Sequence, residues 1–344
     1  MRRMREDRGA VAVLVAILMV AILGFAAIGV DVANMASDKQ QLQNGADAAA
    51  LAIAQSCAKD EPECNNTDGS ATSTAFASSN RLDSGAAGMV ETAGLSPATG
   101  EVTVRTTGTT NHWFAPILGY EASTINAEAT AVWDPPSGAA SFPLTISYCE
   151  LTAQDGVITN PDGSVTVGAT SEIMTFFMTG FGDEDNNGCD LATGAAGSIP
   201  GGFAHLDALP GDEPGSCYAT TTVDDEGTSV GSDPGNGPDS DCENAWFMSL
   251  LGEKVLIPVF NAVQGTGQSA TYEIYGYAAF ILYGYYLNPG QYSEYLDPPL
   301  DGNPCSGKAR CIAGQFVEWS FSDEIANVGG PSPDLGATVV RLSR

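Results

Sequence analysis

Basic residues and histidine are scarce in this chain. Its 344 residues include 13 Lys and Arg against 42 Asp and Glu, a formal net charge of −29, and the histidines are His112 and His205 alone. So acidic a surface repels the phosphates of nucleic acids and the head groups of anionic lipids. The composition therefore excludes nucleic acid as a partner.

The residues that enzymes most often use are missing or badly placed. With two histidines and no Cys-x-x-Cys pair, the usual ligand sets of zinc are absent from the sequence. A Gly-x-Ser-x-Gly stretch at 227–231 follows both histidines, whereas a nucleophile elbow needs a histidine downstream. Two carboxylates in a deep cleft are the catalytic alternative that the composition leaves open. We predict that the protein is not an enzyme.

One segment, residues 10–30, lacks charged and strongly polar side chains altogether. As a helix rising ~1.5 Å per residue it would be about 31 Å long, close to the ~30 Å hydrocarbon core of a bilayer. We predict a transmembrane helix here. The preceding arginines are Arg2, Arg3, Arg5 and Arg8, and they place residues 1–9 in the cytoplasm and the bulk of the chain outside the cell membrane. A cleaved signal peptide is the alternative, although its apolar region is typically about 7–15 residues.

Proline is absent before Pro62, and a helical pattern continues beyond the apolar run. The stripe has alternating spacings of three and four residues and consists of Val32, Met35, Lys39, Leu42, Ala46, Ala49 and Ile53. We predict one helix over about residues 10–58, whose second half packs against a domain or a partner helix. Gly45 is its weak point, because glycine costs about 1 kcal/mol in a helix.

The remaining patterns predict an α+β fold. Residues 31–133 hold the continuation of the helix as a stalk and a small α+β module, with a helix near 72–82 and strands near 102–106 and 123–132. The run Asp134-Pro135-Pro136-Ser137-Gly138 is typical of a linker, which we place at 134–141. Residues 142–344 alternate in short segments between Gly, Pro and Asp turns, which indicates a disulfide-bonded, mainly-β, sandwich-like domain.

All cysteines follow the apolar run. They are Cys57, Cys64, Cys149, Cys189, Cys217, Cys242, Cys305 and Cys311. An even number in an exported segment indicates disulfides. Short separations favour the local bridges Cys57–Cys64 and Cys305–Cys311. The pairing of the other four stays open among three patterns.

A candidate calcium loop lies at residues 183–191. Asp183, Asp185 and Asn187 alternate so that their oxygens can face one ion, and Gly188 permits a sharp turn. Gly194 stands where an EF-hand has its bidentate glutamate, so the loop is not an EF-hand. A simpler calcium turn and an ordinary acidic turn are the two interpretations. Calcium is the one cofactor that the sequence suggests.

Two groups of aromatic residues admit a binding interpretation. Eight tyrosines lie between Tyr272 and Tyr295, where alternation along a strand favours packing within a sheet, with an exposed platform for glycan or protein as the alternative. We interpret the run from His112 to Phe114 as an aromatic cluster that buries a short helix. His205 is assigned to packing rather than to chemistry.

Three stretches of the N-terminal helix carry a family resemblance. They are Arg8-Gly9-Ala10-Val11-Ala12-Val13, Gly24-Phe25-Ala26-Ala27-Ile28-Gly29-Val30-Asp31-Val32 and Leu42-Gln43-Asn44-Gly45-Ala46-Asp47-Ala48-Ala49-Ala50-Leu51-Ala52. This part resembles the Tad domain of TadE/TadG-like proteins from tight-adherence (Flp) pilus systems. Residues 201–203, 256–260 and 334–342 are similar to ectodomains of actinobacterial members.

The resemblance implies a membrane-anchored, non-enzymatic component of pilus assembly or surface adhesion. Its partners would be the membrane and other Tad pilus or secretion components. Pilins cleaved after a glycine carry glutamate five residues later, and counting from Gly9 that position is Leu14, which implies an uncleaved anchor. The alternative function is an extracellular adhesin or receptor that binds protein or glycan, on the envelope or on a host surface, with or without calcium.

Overall fold

The computed structural model describes most of the chain in segments. They are residues 7–59, 61–62, 64–154, 156–160, 165–168, 172–178, 189–190, 198–199, 203–207, 209–210, 217–223, 229–231, 238, 242–265, 270–288, 292–302, 310–324, 326–328 and 332–343. The chain divides into two compact units. The first runs to Val132 and includes the last three residues, and the second is Trp133–Arg341.

A long helix, a short helix and an antiparallel sheet form the first unit. Its elements are α1 (Asp7–Cys57), α2 (Asn66–Asn80), β1 (Ala86–Ser96), β2 (Glu101–Asn111), a 3-10 helix (Ala115–Leu118) and β3 (Ala122–Asp134). Strand β2 pairs with β1 on one side and with β3 on the other. The single long helix predicted over 10–58 is confirmed.

Burial alternates along β2, as expected for a strand with one face on a core. Val102 and Val104 are fully buried, and the Thr106 hydroxyl donates 2.9 Å to the carbonyl of Leu42 in α1. Gly45 of α1 lies at the crossing with α2, where a Cβ would come within 3.0 Å of the Ala77 Cα. The glycine that weakens α1 in isolation therefore permits close packing of the two helices.

Short strands dominate the second unit. Its elements are β4 (Pro136–Ser141), β5 (Leu144–Ser147), α3 (Tyr148–Thr152), β6 (Val157–Thr159), β7 (Val165–Val167), β8 (Met174–Phe177), β9 (Cys189–Asp190), β10 (Ser198–Ile199), β11 (Phe203–His205), β12 (Leu209–Pro210), β13 (Cys217–Thr222), β14 (Ser229–Gly231), α4 (Asn244–Ser249), β15 (Lys254–Gln264), β16 (Thr271–Asn288), β17 (Tyr292–Tyr295), β18 (Cys311–Phe316), β19 (Trp319–Phe321), β20 (Ala326–Val328) and β21 (Ala337–Ser343). The predicted α+β class with a long helix and a β-rich part is confirmed.

Two sheets organise this unit. The larger has the strand order β11-β5-β15-β16-β18-β8, with β14 and β17 also pairing with β16, and the smaller has the order β12-β13-β4-β20. Along β16, Tyr277 and Ala279 belong to one core cluster and Ala278 and Phe280 to another, so both faces of the strand are buried. The first cluster includes Ala139 of β4 and therefore packs the two sheets on each other.

The linker predicted at 134–141 is corrected by this sheet. Residues 136–141 form β4, which pairs with β13 and with β20. Its glycine, alanine and serine side chains are small because neighbouring strands lie close. A Cβ on Gly138 would come within 3.1 Å of Thr222 Cγ2. Turn-forming residues here serve close packing of a buried strand.

Disulfides staple both units. Cys57 is bonded to Cys64 at the end of α1, as predicted, and Cys217 is bonded to Cys242, which selects one pair from the open patterns. Cys149 and Cys311 are also disulfide-bonded. Cys305, the predicted partner of Cys311, lies outside the described residues.

Burial also decides the interpretation of two kinds of side chain. His205 is buried in β11, and burial together with the charge of Arg310 lowers the pKa of its imidazole to about 3. Between Tyr272 and Tyr295 the tyrosines are buried or half-buried, which agrees with sheet packing, and these tyrosines form no exposed platform. Burial raises the pKa of Tyr277 to about 12, although its hydroxyl contacts Thr221 at 2.9 Å.

Candidate membrane anchor and the adjoining loop

Most of the first half of α1 is exposed. An 18-residue window of this helix has a mean hydropathy of 3.1, and none of that window is buried. A core helix of comparable apolarity would be covered by other elements, because exposing it to water is costly. The helix is therefore consistent with a single-pass membrane anchor.

Burial of α1 begins where the apolar run ends. Asp31 is buried, and from Leu42 onward a continuous stripe faces α2 and the sheet, formed by Leu42, Ala46, Ala49, Ala50, Ile53 and Ala54. Val32 and Lys39, which the sequence stripe includes, are exposed. One helix thus passes from a bare apolar segment directly into the core of a folded module.

A buried ion pair ties this module to α1. The Arg81 side chain is only 2% exposed, and its guanidinium lies 3.2 Å from Asp38 of α1 and 3.0 Å from Asp83. The same group donates 2.5 Å to the carbonyl of Thr109 and 3.0 Å to that of Gly85. A single side chain therefore joins α1, the end of α2 and β2.

Asp31 clamps the loop between β2 and β3. Its carboxylate accepts from the backbone N–H groups of Trp113, Phe114 and Ala115, at 2.7, 3.0 and 2.7 Å. Burial acts to raise the pKa of this carboxyl, but the three N–H donors prevail and the pKa lies below its usual value. The charged carboxylate caps the 3-10 helix Ala115–Leu118, because the first N–H groups of a helix have no acceptor within the helix itself.

The side chains of this loop are exposed, which overturns the aromatic cluster interpreted at His112 to Phe114. Trp113 is 76% exposed and Ile117 is 86% exposed, and the 3-10 helix has no buried residue. The reason is geometric. The loop lies at the tip of the β2–β3 hairpin, beyond the end of the sheet, so that no core is available to it.

The loop and α1 enclose an apolar groove of about 390 Å³. Its helix side consists of Ala21, Gly24, Phe25, Ala27 and Ile28, and its loop side of Phe114, Ile117 and Leu118. The loop therefore runs from its clamp at Asp31 back along the bare apolar helix. The sequence signal for this arrangement is an uncharged run, residues 113–120, between two alternating strands.

The calcium ligands predicted from the sequence stay a prediction. Asp183, Asp185 and Asn187 lie outside the described residues. Within the described segments no group of three His, Cys, Asp or Glu side chains could hold a metal ion. Of the Gly-x-Ser-x-Gly stretch, Ser229–Gly231 is the short strand β14 paired with β16, and the first two residues lie outside the described segments.

Comparison with known proteins matches α1. Residues 9–56 match the family model Tad, described as "Putative Flp pilus-assembly TadE/G-like". The resemblance to a Tad domain is thereby confirmed over this helix. No curated protein and no solved structure matches the chain.

Proposed function

We propose that the protein is a single-pass, membrane-anchored component of a Tad (Flp) pilus-assembly or surface-adhesion system, without enzymatic activity of its own. One observation carries the proposal. Helix α1 holds the match to the Tad family, the bare apolar run, and the stripe that builds the folded module. An anchor and a structural element are thus the same helix.

We further propose that residues 1–9 lie in the cytoplasm and that the chain from Asp31 onward, with its disulfides, lies outside. The arginines before the apolar run support this orientation, because Lys and Arg are retained on the cytoplasmic side. The bridges Cys57–Cys64 and Cys217–Cys242 also support it, since disulfides persist in oxidising compartments. The proposed partners are other Tad pilus or secretion components.

The test is affinity isolation of the detergent-solubilised full chain from its own cells. Mass spectrometry should identify pilus secretion proteins among the partners and an N-terminus intact before residue 10. Protease added to intact spheroplasts should digest the C-terminal unit and spare an epitope before the apolar run. A new N-terminus within or just after residues 10–37, or a protected C-terminal unit, would contradict the proposal.

A calcium-dependent adhesin or receptor is the alternative, and no described feature favours it. Its calcium site stays a prediction for residues 183–187. At a dissociation constant of about 0.1–1 mM, 10 mM Ca²⁺ would stabilise the folded state by about 1–3 kcal/mol. Thermal unfolding with and without Ca²⁺, on the wild type and on the Asp183→Asn variant, measures this. An equal midpoint in all four samples would remove calcium from the proposal.

A further inference from the structure

An exposed apolar surface lies on the β2–β3 loop. The run 113–120 contains no charged residue, and its large side chains are exposed to different degrees but none is buried. They are Trp113, Phe114, Ile117, Leu118 and Tyr120. Five large apolar or aromatic side chains in one short loop are costly in water and indicate a surface that is covered in use.

Most backbone N–H groups of this loop donate to partners inside the chain. The N–H groups of Trp113, Phe114 and Ala115 donate to Asp31. Those of Ile117, Gly119 and Tyr120 donate to carbonyls within the loop, and proline at 116 has no N–H. Unpaired backbone donors would forbid entry into lipid, because each costs several kcal/mol there. The loop avoids this cost through contacts inside the chain.

The position of the loop matches the end of the apolar run. The clamp at Asp31 directly follows residues 10–30, and the groove reaches back to Ala21. Ten helical residues correspond to about 15 Å, half of the ~30 Å hydrocarbon core. In a bilayer spanned by residues 10–30, Trp113 would lie at the boundary with water and Ile117 nearer the acyl chains.

Resting on the membrane anchoring proposed above, we propose that the loop at 113–120 inserts into the lipid leaflet on the side of the folded units. It acts as a second membrane contact beside α1. Tryptophan and tyrosine are enriched at this boundary because their rings are apolar and their N–H or O–H groups bond to water. The loop surface is continuous with the bare surface of α1, so one medium covers both.

This surface contacts the lipid bilayer through apolar burial near the ends of the acyl chains, and not through attraction to charged head groups. The loop contains no Lys or Arg, and its neighbour Glu121 is acidic and exposed. Insertion should therefore proceed in zwitterionic phosphatidylcholine and should not require anionic lipid. Salt should change it little, since screening acts on charges and not on apolar burial.

The test places one full-length chain in each phosphatidylcholine nanodisc, with lipids brominated near the head-group end of the acyl chains. The difference in emission between the wild type and Trp113→Phe isolates Trp113 from the other tryptophans. We expect brominated lipid to quench this difference signal and aqueous iodide to leave it. Iodide quenching without bromolipid quenching would overturn the proposal. So would shielding that arises only with several chains per disc, which indicates a protein contact.

A matched pair of variants tests the apolar contact itself. Ile117→Glu should reduce quenching by bromolipid, because a carboxylate opposes insertion. Ile158→Glu changes an exposed isoleucine of β6 in the second unit and should leave quenching unchanged. Hydrogen exchange at residues 113–115 reports whether the Asp31 clamp persists in each variant. Equal quenching in all three proteins would overturn the proposal.

Vesicle flotation after alkaline carbonate extraction separates this inference from the anchor. A chain that is extracted lacks the anchor, and both proposals fall together. A chain that stays with the vesicles, but whose Trp113 signal is quenched by iodide alone, keeps the anchor and loses the loop insertion.

Discussion

Arg81→Met should destabilise the packing of α2 and the sheet of the first unit against α1. The guanidinium is 2% exposed and holds Asp38 at 3.2 Å, together with the carbonyls of Thr109 and Gly85. Removing one partner of a buried pair costs about 3–5 kcal/mol, mainly because the other charge stays buried and uncompensated. Asp38 keeps some contact with water and a hydrogen bond from Thr110, so we expect the lower end, about 3 kcal/mol.

Arg105 supplies the matched control on the same sheet. It also pairs with two carboxylates, those of Glu91 and Glu128, each at 3.2 Å. Its side chain is 47% exposed, so the pairs are solvated and worth at most about 1 kcal/mol. Like Arg81→Met, Arg105→Met removes one positive charge and puts a methionine side chain in place of arginine. The two variants therefore differ in burial and in the two backbone carbonyl bonds that Arg81 makes.

Hydrogen exchange of the full chain in detergent measures both variants. About 3 kcal/mol corresponds to a rise of about 150-fold in the exchange rates of the slow amides of α2 and β2, against at most about fivefold for Arg105→Met. The double variant Asp38→Asn with Arg81→Met should cost less than the sum of the single changes, since the buried charge of Asp38 is removed together with its partner, and the remaining carboxylate of Asp83 is exposed. Equal effects of Arg81→Met and Arg105→Met would refute the reasoning.

Three further changes have defined outcomes. The buried His205 has a pKa of about 3 in the folded state against 6.5 in the unfolded state. Its contribution to the free energy of unfolding is therefore complete above pH 6.5 and falls with acid, by about 2 kcal/mol at pH 5. Urea unfolding of the second unit at pH 7 and pH 5 should measure this loss, and His205→Asn should reduce the difference between the two pH values. A pH dependence of the free energy of unfolding that is the same in His205→Asn as in the wild type contradicts the assignment. Replacing Cys217 and Cys242 with serine opens a bridge of sequence separation 25 and should cost about 3–4 kcal/mol by the same unfolding measurement. A loss under 1 kcal/mol would show that the unfolded chain keeps those segments close. Gly88→Ala would bring a Cβ within 2.4 Å of the Ser73 backbone and should weaken the packing of α2 on β1 by about 1–3 kcal/mol in hydrogen exchange, whereas unchanged protection would show that α2 can shift.

Long periodic segments were predictable from the sequence, and short segments of small residues were not. The stripe through Leu42 and Ile53 predicts α1 because its period is helical and proline is absent. Strand β1 escaped prediction, since among its described side chains only Val90 is a buried hydrophobic. Strand β4 resembles a linker for a similar reason, as glycine, serine and proline signal turns unless neighbouring strands pack on them.

The candidate site was predictable only in its helix. Hydropathy predicts an anchor at residues 10–30 without any tertiary information. The clamp between Asp31 and Trp113 joins positions 82 residues apart, and a single sequence contains no signal for that contact. The sequence alone does not distinguish exposed aromatic residues at 113 and 114 from buried ones. Their exposure depends on the end of the sheet, which is a property of the folded hairpin.

Because α1 is continuous, a tilt of its apolar run displaces the far end of the helix. From residue 30 to Cys57 the helix extends about 40 Å beyond the apolar run without a break in its backbone hydrogen bonds. A tilt of about 20° in the bilayer, an ordinary value for membrane helices, moves its far end sideways by about 14 Å. In the proposed membrane arrangement, bilayer thickness would therefore act on the position of the folded module through the tilt of α1, and a second contact at residues 113–120 would fix that tilt.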